Sequence, residues 1–195
     1  MLKLFSFLSA LSISFSVAAQ EVKLPAPQTE GGMPLMNAVA ARKTTREFSA
    51  RPIDAQTLSE ILWTAWGLTH EGKHSIPTSQ NKQNLKVYVL QADGVWHYNP
   101  EKNTLEGISK KDVRGILNTQ AFVKDAPLHL AFVGSDKKNS PMHAGSAYQN
   151  VGLYCASKGL NNVVRGYFDH PALGKELNLK DNEEVIVTQA VGWGK

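Results

Sequence analysis

Residues Arg42, Lys43, Thr44, Thr45 and Arg46 place three cations and two hydroxyls within five consecutive positions. That set of side chains suits a dianionic phosphate. A guanidinium forks onto two oxygens at once, an ammonium adds a point charge, and a threonine hydroxyl adds a neutral donor. The same run also reads as the solvated basic end of a short helix. Which reading holds depends on what the rest of the chain supplies.

Other familiar chemistry is missing from the sequence. No GxGxxG follows a strand and no GxxxxGK[ST] occurs, which disfavours a dinucleotide fingerprint and a P-loop. No GxSxG elbow occurs either, which disfavours an α/β-hydrolase. His70, His74, His97, His129, His143 and His170 are scattered, and none reads as part of a metal-ligating pair on a helix. Cys155 is the single cysteine, so no intramolecular disulfide forms. It lies in an apolar helical stretch, where a core thiol is the favoured reading over a nucleophile. A phosphate, if one is bound, must therefore be gripped by the basic run.

Composition narrows the partners. A chain of 195 residues with 42% hydrophobic and 19% charged content fits one globular domain. Its formal net charge of +4 has no long basic block behind it, which argues against nucleic acid and suits a small anionic ligand. At the start, Lys3 precedes an apolar stretch from Leu4 to Val17 and the small residues Ala18 and Ala19. This pattern reads as an export signal over residues 1–19. The stretch falls short of the roughly 20 apolar residues of a spanning helix, so no stable membrane anchor is expected. The mature chain is expected to begin near Gln20 or Glu21 and to be periplasmic or secreted.

The elements that must position the basic run can be read from periodicity and punctuation. Residues 20–33 read as a flexible lead rich in Pro and Gly, and residues 34–195 as one domain. Pro34 to Ala41 reads as a short helix. Asp54 is an expected N-cap, with Leu58, Ile61, Leu62 and Ala65 recurring at helical spacing and Gly67 as the stop. Lys86 to Gln91 and Val95 to Tyr98 read as strands around the turn Ala92-Asp93-Gly94, with a short third strand from Leu105 to Ile108. Asp112 to Leu117 reads as helical, and Leu128 to Val133 as a central strand. A thin apolar helix carries Ala144, Ala147, Tyr148, Val151, Tyr154 and Cys155. Gly152 within it implies a close approach by another backbone, since Gly costs a helix about 1 kcal/mol against Ala. Such a helix needs layers on both sides or a subunit interface. A short helix at Ala172 to Leu177 and a last strand from Glu184 to Gly192 complete the chain. Trp63 and Trp66 read as core rather than as a stacking platform.

Three further segments accompany the basic run in order: Pro77-Thr78-Ser79-Gln80-Asn81-Lys82-Gln83, Gly159 to Gly166, and Val191-Gly192-Trp193-Gly194-Lys195. Together they resemble the nitroreductase family of FMN-dependent oxidoreductases, most of all its short SagB-type dehydrogenase-like members, from about Pro34 to Lys195. The resemblance implies an α+β, three-layer sandwich with a central, mostly antiparallel sheet and a buried central helix, working as a homodimer with two FMN sites at the interface. On this reading Arg42 and Thr44 hold the phosphate and ribityl end, with Lys43 beside them. Arg46 sits near the pyrimidine edge of the flavin. Asn81 reaches the flavin region, flanked by Thr78 and Gln83. The backbone of Arg165-Gly166 lies against the isoalloxazine, and Lys195 points toward the phosphate. Flavin would carry the chemistry, so no catalytic side chain is assigned, and a cation at Arg46 would stabilise the reduced form. The implied activity is ping-pong hydride transfer to nitro or quinone compounds, or oxidation of a small organic substrate, with NAD(P)H as a candidate donor. The alternative is a flavin-binding carrier or reservoir without turnover. Arg46 also admits a plain surface role, paired with Glu47 or Glu60.

Overall fold

The computed structural model describes residues 20–195; the expected export signal, residues 1–19, lies outside them. Seven strands form one sheet: β1 (Glu21–Lys23), β2 (Lys86–Gln91), β3 (Gly94–Asn99), β4 (Thr104–Ser109), β5 (Leu128–Gly134), β6 (Asn161–Arg165) and β7 (Glu184–Gly192). Their spatial order is β1-β4-β3-β2-β5-β7-β6, and every pairing is antiparallel. Among the described residues four α-helices accompany it: α1 (Leu35–Ala41), α2 (Ala55–Trp66), α3 (Ser140–Lys158) and α4 (His170–Glu176). The fold is α+β: one antiparallel sheet with α2 and α3 on one face and α4 on the other.

Strand alternation builds the two faces. On β2, Val87 and Val89 join one core with Leu58, Ile61 and Leu62 of α2 and Ala144, Ala147 and Val151 of α3. Tyr88 and Leu90 point the other way and pack with Leu117, Leu173 and Leu177. Both faces of the sheet are thus covered, which is why every residue of β5 is buried. The start of α2 follows its sequence signal: the Asp54 carboxylate accepts from the Thr57 backbone N–H at 2.8 Å. Gly94 closes the β2–β3 hairpin at φ 144°, where a Cβ would fall 2.2 Å from the Ser109 carbonyl oxygen.

Three expectations change. The lead at 20–33 is not a loose tether: Glu21 to Lys23 pair with β4, Leu24 is buried, and the Ser59 hydroxyl donates to the Pro25 carbonyl at 2.6 Å. A Pro-rich composition concealed an edge strand whose hydrogen bonds come from a distant segment. Asp112 to Leu117 yields a 3-10 turn at Arg114–Leu117 rather than an α-helix. Residues 161–165, noted only for their motif, form strand β6. The long helix α3 packs on the sheet and α2, yet Met142 and Gln149 on its outer side are exposed, so one copy of the chain covers it incompletely.

Candidate functional site

The basic run leaves the end of α1 as extended backbone and lies along β6. Thr45 fastens it. Its backbone N–H donates to the Asn162 carbonyl at 2.9 Å, and its hydroxyl accepts from the Asn162 N–H at 2.8 Å. The hydroxyl expected to matter was Thr44, which is exposed; its neighbour ties the run to the sheet. Sequence reasoning had no means of choosing between two adjacent threonines, because the choice depends on the register against β6.

Around this clasp three of the four motifs meet. Arg42 runs its aliphatic stem over Gly152 of α3: a Cβ at 152 would lie 3.4 Å from the Arg42 Cδ and 3.7 Å from the Asn162 Oδ1. The glycine makes room for a side chain, not for the backbone expected there. Beneath it Gln189 donates through Nε2 to Asn162 Oδ1 at 3.1 Å and to the Tyr148 carbonyl at 3.2 Å. Lys43 is exposed and lines a cavity of ≈ 140 Å³ with Thr45, Gly159, Asn161 and Asn162. The chain end comes alongside: Ser49 N–H donates to the Trp193 carbonyl at 2.9 Å, and the Asn161 side chain donates to the Glu47 carbonyl at 2.6 Å.

Among the described residues, Arg42, Lys43 and Arg46 carry no ion pair; Lys23, Lys73, Lys110, Lys124, Lys137, Lys138, Lys175 and Lys180 carry none either, but only at Arg42 to Arg46 do three such cations fall within five residues. The pairing of Arg46 with Glu60 does not occur. Glu60 accepts instead from the Tyr154 hydroxyl at 2.7 Å, from Gln56 at 2.9 Å and from Lys158 at 3.0 Å. Glu47 forms no ion pair with Arg46 either. Arg46 extends over the ring of Phe122, its Cζ 5.7 Å from the centroid.

At the far end of β6, Arg165 turns inward. Its guanidinium is buried and donates to the Leu117 carbonyl at 2.7 Å, Thr119 Oγ1 at 2.7 Å, Gln120 Oε1 at 3.0 Å and the Tyr167 carbonyl at 3.1 Å. No carboxylate joins it, and burial lowers its proton affinity. The side chain thus braces the loop at 117–120. The adjoining Gly166 backbone is exposed, and a Cβ there would meet nothing within 4 Å, so a flat ring has room to approach. Under this end lies His129, fully buried with neither ring nitrogen hydrogen-bonded; burial, then the charges of Arg165 and Arg114, push it down to about 3.

The second motif is kept apart. Its loop holds Gln80, Asn81 and Gln83 at φ 54°, 53° and 47°, a left-handed conformation that non-glycine residues adopt at a cost of about 1–2 kcal/mol each. Internal bonds compensate: Thr78 Oγ1 accepts from Gln83 N–H at 3.1 Å, and Asn81 Oδ1 accepts from Gln83 Nε2 at 3.1 Å. The Ser79 N–H donates to His143 Nε2 on α3 at 2.8 Å. His143 and Gly152 both belong to α3. At 3.6 residues per turn and 1.5 Å rise, the two positions fall on opposite sides of the helix and about 13 Å apart along it. Thr78, Asn81 and Gln83 therefore do not join Arg42 to Arg46 within one copy. They line a separate cavity of ≈ 370 Å³ with His70, Lys73 and His74.

Lys195 is also engaged elsewhere, pairing with Asp125 at 3.1 Å. Trp66 is buried and stacks on His74 at 3.6 Å, and Trp63 donates to the Leu68 carbonyl at 2.9 Å, so both serve the scaffold. Cys155 is buried, which pushes its thiol up and removes it as a nucleophile. No group of three or more His, Cys, Asp or Glu able to hold a metal occurs among the described residues, and none of their helices is long and apolar enough to cross a membrane.

An α+β sheet sandwich with an unpaired cationic run against β6 is the frame in which relatives can be compared. Residues 39–193 match the nitroreductase family, and the chain belongs to it, an oxidoreductase by class. A solved structure from Ralstonia eutropha JMP134, bearing the name nitroreductase, is 33% identical with a TM-score of 0.86 over 93% of each chain. A chloronitrobenzene nitroreductase of Comamonas testosteroni is 24% identical over 78% of this chain and 83% of its own. The fold, at 17% identity and a TM-score of 0.58, is also that of an FMN-dependent nitroreductase from Clostridium difficile R20291, covering 82% of this chain and 87% of the other.

Proposed function

We propose that this protein is an exported, FMN-dependent oxidoreductase that works as a homodimer, transferring hydride by a ping-pong cycle to nitro or quinone compounds or from a small organic substrate. The observation that carries this reading is the set Arg42, Lys43 and Arg46, three cations in one extended run with no carboxylate partner among the described residues. Clustered like charges repel, and a bound anion would relieve that repulsion. The exposed Gly166 backbone supplies the open face that a flat ring needs.

Bound FMN would supply the two-electron hydride chemistry. The protein's work is then positional. Arg42 lays its stem over Gly152, leaving its guanidinium to fork onto a phosphate, Lys43 adds charge beside it, and the exposed Thr44 hydroxyl can donate. Arg46 lies further along β6, where a positive charge favours the electron-rich reduced pyrimidine edge. Thr78, Asn81 and Gln83, kept from the run by α3 within one copy, would reach the site from a second copy. Exposed apolar residues support that second copy: Leu35, Met36 and Val39 on α1 are 66%, 74% and 47% exposed, and Met142 on α3 is 59% exposed.

The test is an absorbance titration of the purified protein with FMN, followed by NAD(P)H and a nitroaromatic or quinone acceptor. Tight flavin binding with steady NAD(P)H consumption supports the proposal. A protein that takes up no flavin refutes it, and flavin binding without turnover points to the carrier.

A further inference from the structure

The geometry points to Phe122 as a positioning residue that fixes where the charge of Arg46 stands in the flavin site. This rests on the reading above, in which Arg46 faces the flavin.

Arg46 has nothing else to hold it. It is exposed, forms no ion pair, and none of its guanidinium nitrogens has a hydrogen-bond partner among the described residues. A free arginine of that kind samples many rotamers, and a charge spread over many positions stabilises no particular anion. Its one directed contact is the Phe122 ring, 5.7 Å from Cζ to centroid, inside the range of a cation–π attraction.

Phe122 is itself well placed to act as an anchor. It sits in the 3-10 turn Ala121–Val123 and packs against the buried cluster of Phe48, Val123, Ala126, Val163 and Ala190. The same ring meets a second guanidinium, that of Arg165, 5.8 Å from its centroid. Arg165 is immobilised by its bonds to Leu117, Thr119, Gln120 and Tyr167. One aromatic ring thus takes two cations, a buried one locked to the 117–120 loop and a mobile one at the surface. The π electrons offset part of the repulsion between them and give Arg46 a defined resting place. The second cation has a further consequence. With no carboxylate among its partners, the buried charge of Arg165 adds to the positive field at the ring it shares with Arg46.

The experiment compares flavin midpoint potentials and FMN affinities of wild type, Phe122→Leu, Phe122→Tyr, Arg46→Ala and the double variant Phe122→Leu/Arg46→Ala. Leucine keeps the packing and removes the ring; tyrosine keeps the ring. We expect Phe122→Leu to lower the preference for reduced over oxidised FMN by roughly two- to fivefold, the span of an exposed cation–π contact. Phe122→Tyr should retain the wild-type potential, and Phe122→Leu should add nothing once Arg46 is alanine. If Arg46→Ala shifts the potential and Phe122→Leu does not, the role of Phe122 is overturned while the reading of the site survives. If Arg46→Ala leaves the potential unchanged, the assignment of Arg46 fails and the role of Phe122 falls with it. Equal shifts in the leucine and tyrosine variants would mark a packing effect and also overturn it. Should Phe122→Leu fail to fold, the tyrosine variant and Arg46→Ala still decide, since a potential lowered by tyrosine contradicts the role of the ring.

Discussion

Arg42 and Gly152 form a fitted pair: the missing side chain on α3 leaves space for the arginine stem, with a hypothetical Cβ 3.4 Å from Arg42 Cδ. That distance is ordinary van der Waals contact. Alanine at 152 should therefore be accepted, and the helix should gain up to about 1 kcal/mol from the better residue. A larger side chain displaces Arg42. Gly152→Ala is expected to raise or preserve the midpoint of urea unfolding with unchanged FMN affinity, whereas Gly152→Leu should lose FMN affinity. Equal FMN affinity in both variants would show that Arg42 does not depend on the groove.

Lys195 illustrates a cation restrained by a neighbour. Its pair with Asp125 is largely exposed, at 63% and 51%, so its net worth after solvent screening is about 0.2–1 kcal/mol. Removing the carboxylate releases the ammonium and deletes one negative charge. Asp125→Asn should bind FMN modestly more tightly, and Lys195→Ala should bind it only slightly more weakly, in low-salt titrations. A large loss in Lys195→Ala would mean that the terminal lysine leaves Asp125 for the phosphate.

His129 makes the folded protein less stable in acid. It is neutral in the folded protein down to about 3, while in the unfolded chain it protonates near 6.5. Between those values the unfolded chain holds one more proton, so stability falls as pH drops from 6.5, by about 1.4 kcal/mol per pH unit for this group. Neither ring nitrogen stands in good hydrogen-bond geometry, and the Val123 backbone is the polar group that acts on the ring, so an apolar replacement loses little. His129→Leu is expected to be as stable as wild type at pH 7 and more stable at pH 5, read by urea unfolding at both values. Parallel pH dependences in the two proteins would contradict this.

Cys155 has no accessible surface, and burial holds its thiol protonated. A thiol reagent should leave the native protein unmodified and react fully only after denaturation. Cys155→Ala should keep FMN binding and turnover.

Local patterns carried much of the fold into the sequence. Asp54, the Leu58–Ala65 spacing and the apolar run of β5 each act through neighbours a few residues away, and each stands where periodicity placed it. Strands β1 and β6 were not legible, since each is defined by a partner far along the chain: Glu106 for Glu21, and Gln189 for Val164. The site followed the same rule. The basic run announced itself by charge, but Thr45, Asn162 and Phe122 gain their meaning only from the register against β6 and the 117–123 turn. The inward turn of Arg165 was hidden as well, because its partners are all neutral oxygens that leave no charge pattern. The separation of Asn81 from Arg42 arises from the two and a half turns of α3 between His143 and Gly152, and a linear motif order carries no such information.

In the proposed site Arg42, with Lys43 and Thr44 beside it, holds the phosphate of FMN. The most direct measurement is a side-by-side fluorescence titration of wild type and Arg42→Ala with FMN at one fixed salt concentration. Loss of a charge-assisted hydrogen bond of about 1.5–3 kcal/mol weakens binding roughly ten- to 150-fold in the variant. Equal affinities, or no binding by the wild type, would contradict the claim.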